Sequence, residues 1–319
     1  MKAFVLAAGF GTRLRPLTVS IPKPLIPVLN IPSLCYTLFL LKEAGIRDIV
    51  CNLHYHADAI VRYLEEQDFF GMNIMISEEK EILGTGGGLK KCESLLKDDD
   101  FVLINSDIIT DISLDALIKA YRRSDASGVL MLHETPQAGA IGHIGVQNGM
   151  VKDFRNMRRT ELRSDLIYTG TAVLSPDIFN HLQTGFSSIV DTGFTGLIDN
   201  GGVASYVHDG LWQDIGTLEE YLYSSTHKNR PVLELGNRMQ NALGIRPHML
   251  ADDARISPEA TVTSSVIGKG CQVGPGAIIE NALLLPGVSI DERQIVSNSI
   301  VYTEGIITLN QVITENPGS

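Results

Sequence analysis

The sequence predicts an α/β protein: a doubly wound, mostly parallel sheet followed by a short parallel β-helix. Three observations carry this. Apolar strand-like runs alternate with helix-period segments over the first 140 residues or so, the pattern of repeated βαβ units. A loop of small residues follows the first of those runs directly, and apolar residues recur every six positions near the C-terminus.

Taken in order, residues 3–6 are a short apolar run that reads as a buried strand. Ala7-Ala8-Gly9-Phe10-Gly11-Thr12 follows, then Arg13, Arg15 and, between Pro22 and Pro24, Lys23. Small residues after a strand let backbone N–H groups come close to a ligand, and the nearby cations suit a polyphosphate. Two better-known phosphate loops do not fit. A P-loop needs Gly-Lys-Ser/Thr where this chain has Gly11-Thr12-Arg13, and Leu14 takes the place of the third glycine of a dinucleotide fingerprint.

Ser33 is placed to cap a helix with Leu34, Leu38 and Leu41 on one face and Gly45 as its stop. Residues 46–53 predict a strand, 57–66 a helix with Ile60, Val61 and Leu64 on one face, and 73–77 a strand. Then come a helix over 89–96, a strand over 101–105, a helix over 113–123 and a strand over 128–133. From Ile141 the pattern changes to short strands at 144–146, 150–154 and 167–174, read as a subregion inserted on the same domain. A helix over 217–227 closes it. Residues 229–253, with Pro231, Gly236, Gly244 and Pro247, read as a linker. The expected division is therefore a catalytic domain over 1–228, a linker over 229–253 and a repeat domain over 254–319. Ligands of doubly wound sheets bind beyond the carboxyl ends of strands, where both the opening loop and Ser106-Asp107 fall.

In the tail, Ile267, Val273, Ile279 and Leu285 are six apart, as are Ile256 and Val262, and Ile290, Val296 and Tyr302. Ile267-Gly268-Lys269-Gly270 and Val273-Gly274-Pro275-Gly276 resemble the hexapeptide repeats of left-handed parallel β-helices, which implies roughly two to three coils over 256–304. The register slips between the runs.

The chain has 319 residues, 44% of them apolar, and no apolar run long enough to cross a membrane. A net charge of −11 argues against general nucleic-acid binding. Cys35, Cys51, Cys92 and Cys271 form no CxxC pair, so neither disulfides nor a zinc site is expected, and with no signal peptide read at the N-terminus the expected compartment is the cytoplasm.

Residues 3–28 resemble the signature of the sugar-1-phosphate nucleotidyltransferases, the nucleotide-sugar pyrophosphorylases. That signature runs L-x-G-G-x-G-T-R-L-x-P-L-T and then P-K-P, with Ala8 here at the first glycine of the pair. The resemblance implies a Rossmann-like nucleotidyltransferase domain and transfer of a nucleotidyl group from a nucleoside triphosphate to a sugar 1-phosphate, with release of pyrophosphate. It implies Mg²⁺ as cofactor, held by Asp107 in Asn105-Ser106-Asp107 and by Asp214 in Trp212-Gln213-Asp214-Ile215-Gly216-Thr217. Arg13, Lys23 and Asp107 take the catalytic positions. Leu6, Ala8, Gly9, Gly11, Thr12, Arg13, Thr85 and Gly86 take the nucleotide-binding ones, the last two within Leu83-Gly84-Thr85-Gly86-Gly87-Gly88. Gly145, Thr169 and Gly170 match positions on the sugar side. Homo-oligomerisation through the tail is also implied.

Ser-Asp, Pro-Lys-Pro and a β-helix tail occur together in the mannose-1-phosphate guanylyltransferase branch. Uridylyl-, thymidylyl- and heptose-1-phosphate guanylyltransferases are the alternatives. One departure bears on the sugar: the family's Glu-Lys-Pro is not recognisable in Phe154-Arg155-Asn156-Met157-Arg158-Arg159, and which arginine replaces its lysine stays open. Thr85 to Gly88 also resembles a segment of N-acetylmuramate-1-phosphate uridylyltransferases. A non-catalytic nucleotide-sugar sensor would not need Arg13, Lys23, Asp107 and Asp214 together. A β-helix acyltransferase would need a histidine, and none lies in 254–319. His54 and His56 read as loop residues, Asp111 as a turn or cap, Arg15 equally as a surface residue, and Glu78 and Glu79 as a solvated face.

Overall fold

A computed structural model describes residues 1–309. Packing divides the chain into two units: residues 1–10 with 36–212, and residues 11–35 with those from 213 onward.

The first unit is built on a nine-stranded sheet. Its strands are β1 (Lys2–Leu6), β2 (Asp48–Leu53), β3 (Asn73–Glu78), β4 (Phe101–Asn105), β5 (Gly128–Glu134), β6 (Ile144–Gln147), β7 (Met150–Phe154), β8 (Leu166–Leu174) and β9 (Val203–Val207). Their order is β3-β2-β1-β4-β8-β5-β9-β7-β6. The first four are mutually parallel. β8 runs antiparallel between β4 and β5, and β7 antiparallel between β9 and β6, so seven of the nine strands share one direction. Strands buried on both faces read as continuous apolar runs. In β1 the residues Ala3, Phe4 and Val5 are fully buried, and Phe4, Leu103, Leu130 and Leu174 meet in one core.

Most elements lie where the sequence puts them, including the helix Ala57–Glu66 and the helix Leu114–Arg123 capped by the Ser113 hydroxyl. Two differ. The helix expected from Leu89 begins earlier, as Gly84–Lys91, and a separate short helix, Glu93–Leu96, follows. Packing explains the early start: a Cβ on Gly87 would lie 1.8 Å from the Gly185 carbonyl oxygen, and one on Gly86 would lie 2.7 Å from Ser187 Oγ. The glycines let this helix press against residues 185–189, and that contact overrides glycine's poor helix propensity. Ser33 opens the helix Ser33–Glu43, but its hydroxyl donates to the carbonyls of Lys23 and Pro24, 3.2 Å each, rather than capping.

The second unit holds residues 11–35, the part of the signature segment that carries Arg13 and Lys23, with the helix Leu218–Thr226 and the tail. Residues 229–253, expected as a linker, instead carry two further helices, Asn229–Glu234 and Gly236–Leu243, which bury Val232, Met239 and Leu243. The tail is three stacks of short parallel strands. Ile256 pairs with Val273 and Val273 with Ile290; Val262, Ile279 and Val296 form the second ladder, and Ile267, Leu284 and Val301 the third. Each coil therefore advances seventeen residues, one short of three hexapeptides. This is the slip seen in the sequence. It falls at one corner, so Leu284 and Val301, rather than Leu285 and Tyr302, take the third ladder. The last pair, Ser299–Tyr302 with Gly305–Thr308, is antiparallel, and residues 310–319 of the expected repeat domain lie outside the described residues.

Candidate active site

In the first unit the chain order reverses across β1, flanked by β2 and β4, the switch point at which doubly wound sheets bind ligands. Leu6 and Asn105 are register partners at the strand ends. The backbone N–H and the hydroxyl of Ser106 both donate to the Leu6 carbonyl, at 3.1 and 2.9 Å. Asp107 is thereby fixed next to the loop Ala7–Phe10. Ala8 is buried, while Gly9 is exposed, and a Cβ on Gly9 would meet no atom of the described residues within 4 Å beyond its chain neighbours. The protein's own packing does not require glycine there; a ligand lying on that backbone would.

The loop is tied down from β2. The Ala7 N–H donates to Asn52 Oδ1 at 2.9 Å, and Asn52 Nδ2 donates to Glu79 Oε1 at 2.7 Å. Glu79 Oε2 accepts the N–H of Leu83 at 2.8 Å. Glu79 is 2% exposed, so the expectation of a solvated face holds for exposed Glu78 and fails for Glu79. Alternation along β3 would not have separated the two, because Glu79 lies just past the strand's end. His54 Nδ1 lies 2.8 Å from the Glu79 carbonyl, and Phe10 packs edge-on against the His54 ring at 5.0 Å. His54 is thus a loop residue, as expected.

Thr85 and Gly86 lie in the first turn of the glycine-rich helix. Thr85 Oγ1 accepts the N–H of Ile189 at 2.9 Å, and the Gly86 N–H donates to Ser187 O at 2.8 Å. On the expected sugar side, Gly145 lies under the loop 153–162, where a Cβ would be 2.9 Å from Leu162 Cβ. Gly170, at φ +85°, lies against Asn105, whose Nδ2 would be 2.6 Å from a Cβ. The Thr169 side chain is turned inward, with its hydroxyl donating to Met131 O at 2.9 Å, while its carbonyl accepts the Trp212 indole N–H at 3.4 Å.

Where the family has Glu-Lys-Pro, the buried Asp153 holds the loop, accepting from Arg158 N–H, Thr160 N–H and the Thr160 hydroxyl. Burial alone would raise its pKa, but those hydrogen bonds hold the carboxyl below the usual range. The Arg158 guanidinium pairs with Asp199, and Arg155 lies 3.4 Å from Asp191. Asp111 accepts from His208 Nε2 at 2.9 Å, and the cap of the following helix is Ser113.

In the second unit Gly11, at φ +62°, starts a 3₁₀ turn over Thr12–Leu14, and the Thr18 hydroxyl donates to its carbonyl at 2.8 Å. A Cβ on Gly11 would strike Thr18 and Lys23 at 2.9 and 3.1 Å, so glycine lets the Lys23 stem pass close. Arg13 Nη2 lies 4.0 Å from Asp214 Oδ2, and the Arg13 side chain is 62% exposed. A Cβ on Gly216 would be 2.6 Å from that guanidinium. The structure therefore brings Arg13 and Asp214 together, and sets Asp107 beside the β1 loop.

The described residues contain no group of three or more His, Cys, Asp or Glu able to hold a metal. Mg²⁺ does not need one, because it keeps waters and substrate phosphates around one or two carboxylates. Asp107 and Asp214 are oxygen donors of the kind it takes.

The nucleotidyl transferase family profile matches residues 2–230. The chain belongs to this family. A GlmU-like C-terminal hexapeptide profile matches residues 237–319. The chain is 29% identical over 319 residues to a probable mannose-1-phosphate guanylyltransferase 3 of Oryza sativa subsp. japonica, covering 94% of this chain and 86% of that one. It is 30% identical to a mannose-1-phosphate guanyltransferase of Emericella nidulans, over 85% of this chain and 74% of that one. Among solved structures, a putative glucose-1-phosphate thymidylyltransferase from Bacillus anthracis superposes with a TM-score of 0.62 at 24% identity, over 68% of this chain and 91% of that one. HddC from Yersinia pseudotuberculosis, complexed with GMP-PN, gives 0.60 at 23%, over 72% and 99%. At these identities the structural neighbours establish the fold of the nucleotidyltransferase. Among the described residues no helix is long and apolar enough to cross a membrane.

Proposed function

We propose that this nucleotidyltransferase is a mannose-1-phosphate guanylyltransferase. A phosphate oxygen of mannose 1-phosphate attacks the α-phosphorus of GTP, the bond from that phosphorus to the β-phosphate's bridging oxygen breaks, and GDP-mannose and pyrophosphate form. The observation that carries the reading is the signature segment itself. Gly9 presents bare backbone that no side chain among the described residues covers, and Arg13 stands beside Asp214 with its side chain largely exposed. A planar guanidinium suits phosphate oxygens and offsets charge gathering on the leaving pyrophosphate. Lys23 adds a second cation on the same segment. Leu6, Ala8, Gly11, Thr12, Thr85 and Gly86 complete the nucleotide side, and Gly145, Thr169 and Gly170 the sugar side, where Thr169 offers its backbone because its hydroxyl is engaged.

Asp107 and Asp214 are the carboxylates proposed to hold Mg²⁺, which when bound neutralises phosphate charge and acts as a Lewis acid. The choice of GTP and mannose 1-phosphate rests on relatives that match both the catalytic segment and the tail. Four buried free cysteines suit a reducing cytoplasm. Assembly of like chains through the β-helix is supported by Ile278 and Ile295, register partners that are 42% and 68% exposed. Light scattering would report the mass of that assembly.

The test is pyrophosphate release by purified protein with Mg²⁺, using GTP, UTP, dTTP and ATP against mannose, glucose and heptose 1-phosphates. GTP with mannose 1-phosphate is expected to be fastest. Preference for another pair would move the protein to another branch, and release from none would leave a sensor.

A further inference from the structure

We infer that Asn52 and Glu79 are positioning residues that set the phosphate loop and the base segment at one fixed separation. This deepens the nucleotidyltransferase reading and rests on it.

The two ends of the bridge are backbone N–H groups, of Ala7 in the loop after β1 and of Leu83 at the entry to the glycine-rich helix. Both ends donate, so the two side chains between them must present acceptors outward and meet as donor and acceptor in the middle. One amide and one carboxyl do this: Asn52 Oδ1 faces Ala7, its Nδ2 faces Glu79 Oε1, and Glu79 Oε2 faces Leu83. Two amides would leave one donor against another. Two carboxylates would set acceptor against acceptor at 2.7 Å.

The bridge is sealed from water, with Asn52 1% and Glu79 2% exposed, so a mismatched pair has no solvent to turn to. Its outer wall is Gly88, where a Cβ would lie 2.5 Å from Glu79 Oε1 and 2.7 Å from Asn52 Nδ2. A second strut runs alongside. The Glu79 carbonyl can only accept, so His54 Nδ1 donates to it, and Phe10 of the same loop packs on that ring. These groups act through the backbone they hold, at Ala7 and at Leu83. They fix the spacing between the loop that meets its phosphates and the segment that meets its base.

Hydrogen-bond polarity supplies the test. E79Q and N52D each break the pattern, whereas N52D/E79Q reverses both side chains and restores all three hydrogen bonds. Calorimetric Kd for Mg-GTP, KM for both substrates and melting temperature are measured on all four proteins. Each single variant is expected to weaken GTP binding at least about fivefold, with KM for the sugar 1-phosphate unchanged, and the double variant to return within about twofold of wild type. Singles that bind GTP like wild type, or a double as impaired as the worse single, would overturn the inference. If a single variant does not fold, G88A pushes on the bridge from outside with both partners intact. It is expected to raise the Kd for GTP and not the KM for the sugar 1-phosphate, and an unchanged Kd would overturn the inference. Binding is read without turnover, so a wild type that binds GTP but releases no pyrophosphate defeats the functional reading and leaves this one standing.

Discussion

Arg13 is largely exposed, and Asp107, half-buried with its Oδ1 enclosed, lies outside the hydrophobic core, so replacing either is expected to leave the fold standing. The Arg13 side chain is 62% exposed, and Asp107 lies beyond the end of β4. Arg13→Ala and Asp107→Asn are each expected to lower kcat by about two to three orders of magnitude, the usual scale for losing a group that stabilises developing charge. Melting temperature should stay near that of wild type, and near-normal turnover by either variant would remove it from the machinery. Asp153 makes the opposite kind of prediction, about stability. Its folded pKa is depressed, so its hydrogen bonds contribute fully above the unfolded carboxyl value of about 4 and fade as pH falls through the lower folded value. Asp153→Asn should cost about 1–3 kcal/mol at neutral pH. The gap to wild type in denaturant unfolding should narrow as pH drops below about 4, and a gap independent of pH would contradict the assignment. Residues of the first kind were legible in the sequence because motif and spacing mark them. Asp153, Asn52 and Glu79 were not, because their importance comes from burial, and an isolated carboxylate in a sequence carries no sign of whether water reaches it.

Elements with a clean period are legible in the sequence almost to their ends. The strand Phe101–Asn105 and the helix Ala57–Glu66 match residue for residue, since an all-apolar run and a one-sided apolar face each have few alternatives. The glycine-rich helix is legible only from Leu89, because Gly86, Gly87 and Gly88 carry no side chains from which a period could be built. Their meaning lies in what touches them, and this distinguishes two glycines that look alike in sequence. Gly87→Ala would place a Cβ 1.8 Å from the Gly185 carbonyl oxygen, so the helix must move off residues 185–189. Gly9→Ala would place one in open space. Gly87→Ala is therefore expected to lower the melting temperature, and Gly9→Ala to leave it unchanged while raising Kd for GTP. The reverse pattern would mean that Gly9 serves the fold and not the ligand.

In the whole chain, the sequence separated catalytic segment from tail, whereas the packing places residues 11–35, with Arg13 and Lys23, in one unit with the β-helix. No periodicity could reveal this, since the ties are hydrogen bonds between residues about two hundred positions apart. The strands Pro27–Val28 and Ile31–Pro32 pair antiparallel across a turn in which Leu29 and Asn30 both have positive φ, the geometry of a tight hairpin. Asn30 Nδ2 donates to the carbonyls of His248 and Ile267 at 3.0 and 3.2 Å, the latter in the first rung of its ladder. The His248 N–H donates back to Leu29 O at 3.0 Å, and the Tyr221 hydroxyl to Pro27 O at 2.6 Å. The segment that carries Lys23 is thus pinned at its far end to the tail. Asn30→Gly isolates this link, because glycine accepts the same positive φ and removes only the amide. Two partly buried hydrogen bonds would be lost, and stability should fall by about 1–3 kcal/mol. If the pin also steadies Lys23, kcat falls along with stability even at temperatures where the variant is fully folded, as followed by pyrophosphate release beside circular dichroism. A variant that loses stability and keeps full kcat would confine Asn30 to holding the tail in place.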